Sequence, residues 1–120
     1  GKMNVLDYAL KNKDTSQHWY AGLEGVLRRE ITEEVGLAIS NIGYVTSMVY
    51  IRPDEIPCLI VSLFADASEG EVHLCPALTE YVWVTLEEAK QYDLIEGIYD
   101  ELVMLDSFLK TGKRMVWKKS

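Results

Sequence analysis

One amphipathic segment constrains this chain more than any other stretch. Leu23, Leu27, Ile31 and Val35 recur every four residues and form one apolar stripe. Gly36 follows where a helix C-cap is expected. The spacing predicts a helix over residues 23–35. On that helix Glu30, Glu33 and Glu34 stand at i, i+3 and i+4, so they share a face. Arg29 lies one turn before Glu33 and can pair with it. Like charges at i, i+4 repel by about 0.2–0.5 kcal/mol in an isolated helix. A hard divalent cation reverses that repulsion. Mg²⁺ prefers carboxylate oxygens, keeps several waters and bridges to substrate phosphates. The plainer alternative is an acidic, solvated helix face, the usual fate of a charge run.

Residues 29–37 read R-E-I-T-E-E-V-G-L. This string resembles the second half of the Nudix box, G-x5-E-x7-R-E-U-x-E-E-x-G-U with U apolar. Arg29, Glu30, Ile31, Glu33, Glu34, Gly36 and Leu37 match every specified position. A second stretch, Trp83-Val84-Thr85-Leu86-Glu87-Glu88-Ala89, is similar to the strand-to-helix signature that the family carries further on. Between them the two stretches extend the likeness over residues 5–109. The first half of the box departs from the pattern. Ala21 stands where the box has Glu, and Thr15 where it has Gly. Trp19-Tyr20-Ala21-Gly22 runs directly into the helix, so the glycine-rich loop is shorter than the family's by about ten residues.

The resemblance implies hydrolysis of a nucleoside diphosphate linked to a further group, with Mg²⁺ or Mn²⁺ as cofactor. Under it, Glu30, Glu33 and Glu34 are the expected metal ligands, and Arg29 fixes the Glu33 rotamer from behind. Glu34, or a carboxylate from a later loop, takes a proton from water. Glu80 is the first choice among the loop carboxylates, with Glu69 and Glu71 as alternatives. Trp19, Tyr50 and Arg52 are expected to contact the nucleotide. The departures at Thr15 and Ala21 leave a second reading, a Nudix-fold module that binds nucleotides or regulates without turnover. A third reading treats the acidic run as accidental on an α+β interaction domain.

Composition sets the outer limits. At 120 residues the chain is expected to form a single domain. The net charge of −7 speaks against a nucleic-acid polymer and against an anionic membrane surface as partners. It leaves a small nucleotide open, because a cation inverts the local field. No apolar run approaches the ~18 residues of a membrane span, and no signal peptide is legible. Cys58 and Cys75 lack metal-site spacing, and Cys58 reads as a buried reduced thiol. The expected compartment is cytoplasmic, and the expected state a monomer or homodimer.

The remaining elements follow from pattern. Strands are expected over residues 3–10, 38–52, 58–65, 71–74 and 79–85. Gly43 is expected to be a bend or bulge in the second of these. The 58–65 run is nearly all apolar and suits a central strand covered on both faces. Thr85 and Glu88 form a capping box that opens a helix. Ile95, Ile98, Leu102, Leu105 and Leu109 recur at helical intervals and predict a last helix over 94–109. Residues 114–117 read as a final strand or a partner-binding tail. The order of elements predicts an α+β fold with a mixed sheet between helices. The Nudix resemblance gives the same α/β/α sandwich.

Overall fold

The first constraint on the fold is the helix that the apolar stripe predicts, and the computed structural model, which describes residues 2–4, 7 and 11–119, contains it. Helix α1 runs Gly22–Val35. Strands β1 (Ile39–Ile51) and β2 (Pro57–Ala67) follow, then α2 (Leu86–Ala89) and α3 (Ile98–Thr111). The described residues are 29% helical and 21% strand, an α+β composition. Two compact units divide the chain. One comprises residues 1–42 and 65–81, the other 43–64 and 82–120.

In the first unit, α1 stops where left-handed backbone is cheapest. Gly36 has φ 71°, and its N–H donates to the Ile31 and Thr32 carbonyls. A Cβ at this position would also lie 3.0 Å from His73 Cβ. The last carbonyls of a helix lack partners within it. Here residues 73–75 supply them. The His73 N–H donates to the Val35 carbonyl at 2.8 Å, and the Cys75 N–H to the Glu34 carbonyl at 2.9 Å. The strand expected over 71–74 is absent: one of its backbone donors, the His73 N–H, and the Cys75 N–H just beyond it serve the helix end. Val26 and Leu37 are buried, whereas Leu23, at the head of the expected stripe, is exposed. The strand expected over 3–10 falls mostly on residues outside those described. Of the rest, Met3 and Asn4 are not in a strand, and Asp7 has helical backbone.

The two strands make an antiparallel sheet. At its closed end, in the second unit, the Arg52 N–H donates to the Ile56 carbonyl and the Glu55 N–H to the Arg52 carbonyl. Glu55 takes the left-handed conformation, φ 66°. β2 was expected to be central and covered. It pairs only with β1 among the described residues, and Leu59 is 72% exposed. An apolar run records β preference, but cover has to come from other segments. Residues 79–85 likewise form no strand, and Trp83 is exposed. Gly43 is not the bend. Asn41 carries the positive φ of 53°, and its amide donates to Asp66 at 2.8 Å. Gly43 makes room instead, because a Cβ there would lie 2.3 Å from Cζ of Phe64.

Phe64 packs on Phe108 of α3, ring centroids 5.7 Å apart. Arg114 donates to the Tyr44 carbonyl at 2.7 Å, and its guanidinium lies 5.2 Å from the Phe108 ring. Residues 114–117 thus form no strand; they pack back on the same unit, where the Trp117 indole N–H reaches the Gly97 carbonyl. The capping box is present. The Glu88 N–H donates to Thr85 Oγ1, and the Thr85 N–H to Glu88 Oε1. It opens a helix of only 4 residues, which packs on α3 through the buried Ala89. α3 starts after Gly97, four residues later than the apolar periodicity predicts, and ends at Gly112 in left-handed backbone. Cys58 and Cys75 are half-buried free thiols. Among the described residues no helix is long and apolar enough to cross a membrane.

The Gly43–Phe64 contact gives the first test. Gly43→Ala forces the ring aside and should destabilise the protein by about 1–3 kcal/mol in urea unfolding. Adding Phe64→Leu in the same background should recover part of that loss. A Gly43→Ala variant with wild-type stability would show that the ring has room to move.

Candidate functional site

The acidic face of α1 is built by helix periodicity and organised by one guanidinium. Arg29 is half-buried, and its five hydrogen bonds go to three carboxylates and a carbonyl. Nη1 donates to Glu33 at 3.1 Å, one turn along, as the spacing predicts. Nη2 reaches Glu30 at 3.2 Å and the Lys2 carbonyl at 3.4 Å. Nε donates to Asp7 Oδ1, and Nη2 also donates to Asp7 Oδ2 at 3.1 Å. Asp7 is therefore the two-pronged partner of Arg29, and its side chain is only 6% exposed.

Asp7 is the site residue that the sequence reading missed. It lies in a segment read as strand. The available signal was the pair Asn4 and Asp7, three residues apart with Asn first, the spacing of a helix N-terminal cap. The Asn4 N–H donates to Asp7 Oδ2 at 2.8 Å, and the Asp7 N–H to the Asn4 carbonyl at 3.1 Å. Arg29 beside it, then the Asn4 N–H, hold the Asp7 carboxyl below its ordinary range. The same pairing raises the Arg29 guanidinium further still. A carboxylate depressed in the fold contributes stability that is complete above its unfolded value, near 3.8, and is lost as pH falls through the lower folded value.

Glu30 and Glu34 meet one turn apart. Hydrogen bonding toward Glu30 pushes the Glu34 carboxyl above its ordinary range; desolvation and repulsion from Glu30 push the same way. Two carboxylates one turn apart on a helix can present oxygens to one hard cation. Glu33 is turned toward Arg29 and is 58% exposed. Among the described residues no three His, Cys, Asp or Glu side chains are gathered closely enough to hold a metal ion. The donor set present is thus a carboxylate pair, which suits Mg²⁺ when waters and phosphate oxygens complete its shell.

Next to Asp7, in the same unit, lies a cavity of about 310 Å³, lined by Met3, Asp7, Lys11, Trp19, Tyr20 and Gly22 among others. This is the lower end of the size that small-molecule ligands take. The Trp19 indole N–H donates to the Lys11 carbonyl at 2.9 Å, and Lys13 sits 5.3 Å from the ring. Trp19 and Asp7 thus line the same cavity. Glu80 is exposed on irregular chain after β2, and Glu69 and Glu71 are exposed as well. Tyr50 and Arg52 belong to the second unit, in and beside the hairpin turn. There Arg52 pairs with Asp54 at 2.7 Å.

In comparisons with known proteins, no family model matches the chain, and neither does any curated protein or solved structure.

The raised Glu34 carboxyl sets a testable sign. A carboxyl raised in the fold contributes stability that is complete below its unfolded value, near 4.5, and is lost as pH rises through the folded value. At neutral pH the metal-free Glu30–Glu34 pair should therefore be repulsive. Glu34→Gln removes one charge and keeps a donor toward Glu30. It should raise the metal-free melting temperature by roughly 1–3 °C at pH 7, and less at pH 4. Thermal unfolding in EDTA at the two pH values checks this; equal shifts at both would show that the Glu34 carboxyl is not raised.

Proposed function

We propose that this protein is a metal-dependent hydrolase of nucleoside diphosphate-linked substrates, a member in sequence and chemistry of the Nudix group. The observation that carries the reading is the meeting of Glu30 and Glu34 beside an Arg29–Glu33 pair, within a string whose specified positions match the second half of the Nudix box. The reading includes the family's α/β/α sandwich as the fold, a single domain and a cytoplasmic setting.

In this reaction water attacks a phosphorus of the pyrophosphate bridge. A new O–P bond forms, the bridging P–O bond breaks, and the water proton passes to a carboxylate. Bound Mg²⁺ or Mn²⁺ supplies positive charge against the phosphate oxygens. Glu30 and Glu34 would hold the ion, with Glu33 kept in place by Arg29. Glu34 is the first candidate for the general base. Glu80 is the alternative base. The Trp19 cavity offers an aromatic wall for a nucleoside, and the size of the cavity supports that role. Tyr50 and Arg52 remain further candidates for substrate contact.

A second reading, a nucleotide-binding or regulatory module without turnover, is favoured by two facts. Ala21 and Thr15 replace the Glu and Gly of the box. No three-carboxylate group is gathered among the described residues.

The two readings separate in one assay. Nucleoside monophosphate release is measured from a panel of nucleoside diphosphate-linked compounds with Mg²⁺, Mn²⁺ or EDTA. The hydrolase reading expects metal-dependent release, lowered about 10²-fold by Glu33→Gln with an unchanged circular dichroism spectrum. Nucleotide binding without release would establish the module. Release that ignores EDTA and Glu33→Gln would remove the assigned site.

A further inference from the structure

Asp7 is the group around the acidic face that the proposed chemistry does not use. Both of its oxygens are committed. Oδ1 accepts from Arg29 Nε, and Oδ2 accepts from Arg29 Nη2 and the Asn4 N–H. It is therefore not itself a cation ligand. Its effect passes through Arg29. A guanidinium is planar and rigid, so fixing the Nε–Nη2 edge fixes the directions of the remaining N–H groups. With that edge on Asp7, Nη1 faces Glu33 at 3.1 Å and Nη2 faces Glu30 at 3.2 Å.

Charge points the same way. Without Asp7, the Arg29 charge would be free to turn further toward Glu30, Glu33 and Glu34. It would then cancel part of the field that draws a metal ion. With Asp7 in place, the Arg29 charge is matched from the opposite side, and the α1 carboxylates keep a surplus of negative charge. We propose that Asp7 is a positioning residue for the α1 carboxylates: by gripping the Nε edge of Arg29 it orients Glu33 and Glu30 and preserves the affinity of the face for a divalent cation. This inference rests on the metal-binding reading above.

The test is Mn²⁺ affinity, read by electron paramagnetic resonance without substrate, in the wild type and in Asp7→Asn, Arg29→Gln and the double variant. Asp7→Asn should weaken Mn²⁺ binding about tenfold, the usual scale for a group that orients metal ligands. In the Arg29→Gln background it should have no further effect, because the route through Arg29 is already gone. Asp7→Glu, which keeps the charge, should bind more tightly than Asp7→Asn. A merely structural role would instead lower the melting temperature and leave the Mn²⁺ affinity of the folded fraction unchanged. Should Asp7→Asn not fold, the comparison of Asp7→Glu with wild type, in the presence and absence of Arg29→Gln, carries the same cycle. Equal Mn²⁺ affinity in wild type and the Asp7 variants would overturn the role of Asp7 while leaving the metal site standing. A wild type that binds no Mn²⁺ would overturn both.

Discussion

The first unit depends on one guanidinium among carboxylates. Arg29 is half-buried and donates to Asp7, Glu30 and Glu33 at once. Such a group is tolerated only when its N–H donors are satisfied. Helix periodicity supplies Glu30 and Glu33 automatically, since they lie on the same helix within a turn of Arg29. Asp7 comes from a segment 22 residues earlier and completes the set. The consequence is an acidic face ordered by its own hydrogen bonds. The proposed metal site would draw on that order, because ligands fixed in advance lose less entropy on binding.

The second unit rests on apolar shape. Gly43 admits the Phe64 ring, Phe64 meets Phe108, and Arg114 lies over Phe108 while holding the Tyr44 carbonyl. Each contact requires the one before it. A side chain at 43 would displace the ring, and a displaced ring would alter the surface on which α3 and Arg114 pack. The hairpin needs this support, because a two-stranded ribbon is marginal by itself in water.

The carboxylate arrangement also shows how a single helix can carry two opposed electrostatic tasks. Glu33 and Glu30 both accept from Arg29, whereas Glu34 has Glu30 as its neighbour and is pushed above its ordinary range by it. The difference is a matter of helical angle. Residue 33 is one turn beyond 29, and residue 34 one turn beyond 30, so each carboxylate meets a different neighbour.

Much of this was legible in the sequence wherever the cause was local. The α1 helix, its Gly36 stop, the Arg29–Glu33 pair and the Thr85–Glu88 capping box all follow from spacings of three or four residues, which the helix geometry itself enforces. The hairpin followed from β-rich runs flanking Arg52-Pro53-Asp54. What the sequence could not supply was the choice of distant partners. It did not show that Asp7 would grip Arg29, that His73 and Cys75 would spend their N–H groups on the end of α1, or that β2 would have β1 as its neighbour instead of lying at the centre of a larger sheet. It placed Gly43 correctly as special and assigned the wrong reason, because the Phe64 ring is 21 positions away. Periodicity encodes which face of an element is apolar and which is charged. Only the tertiary structure decided what each face meets, since those contacts are set by the competition of distant segments for the same surface.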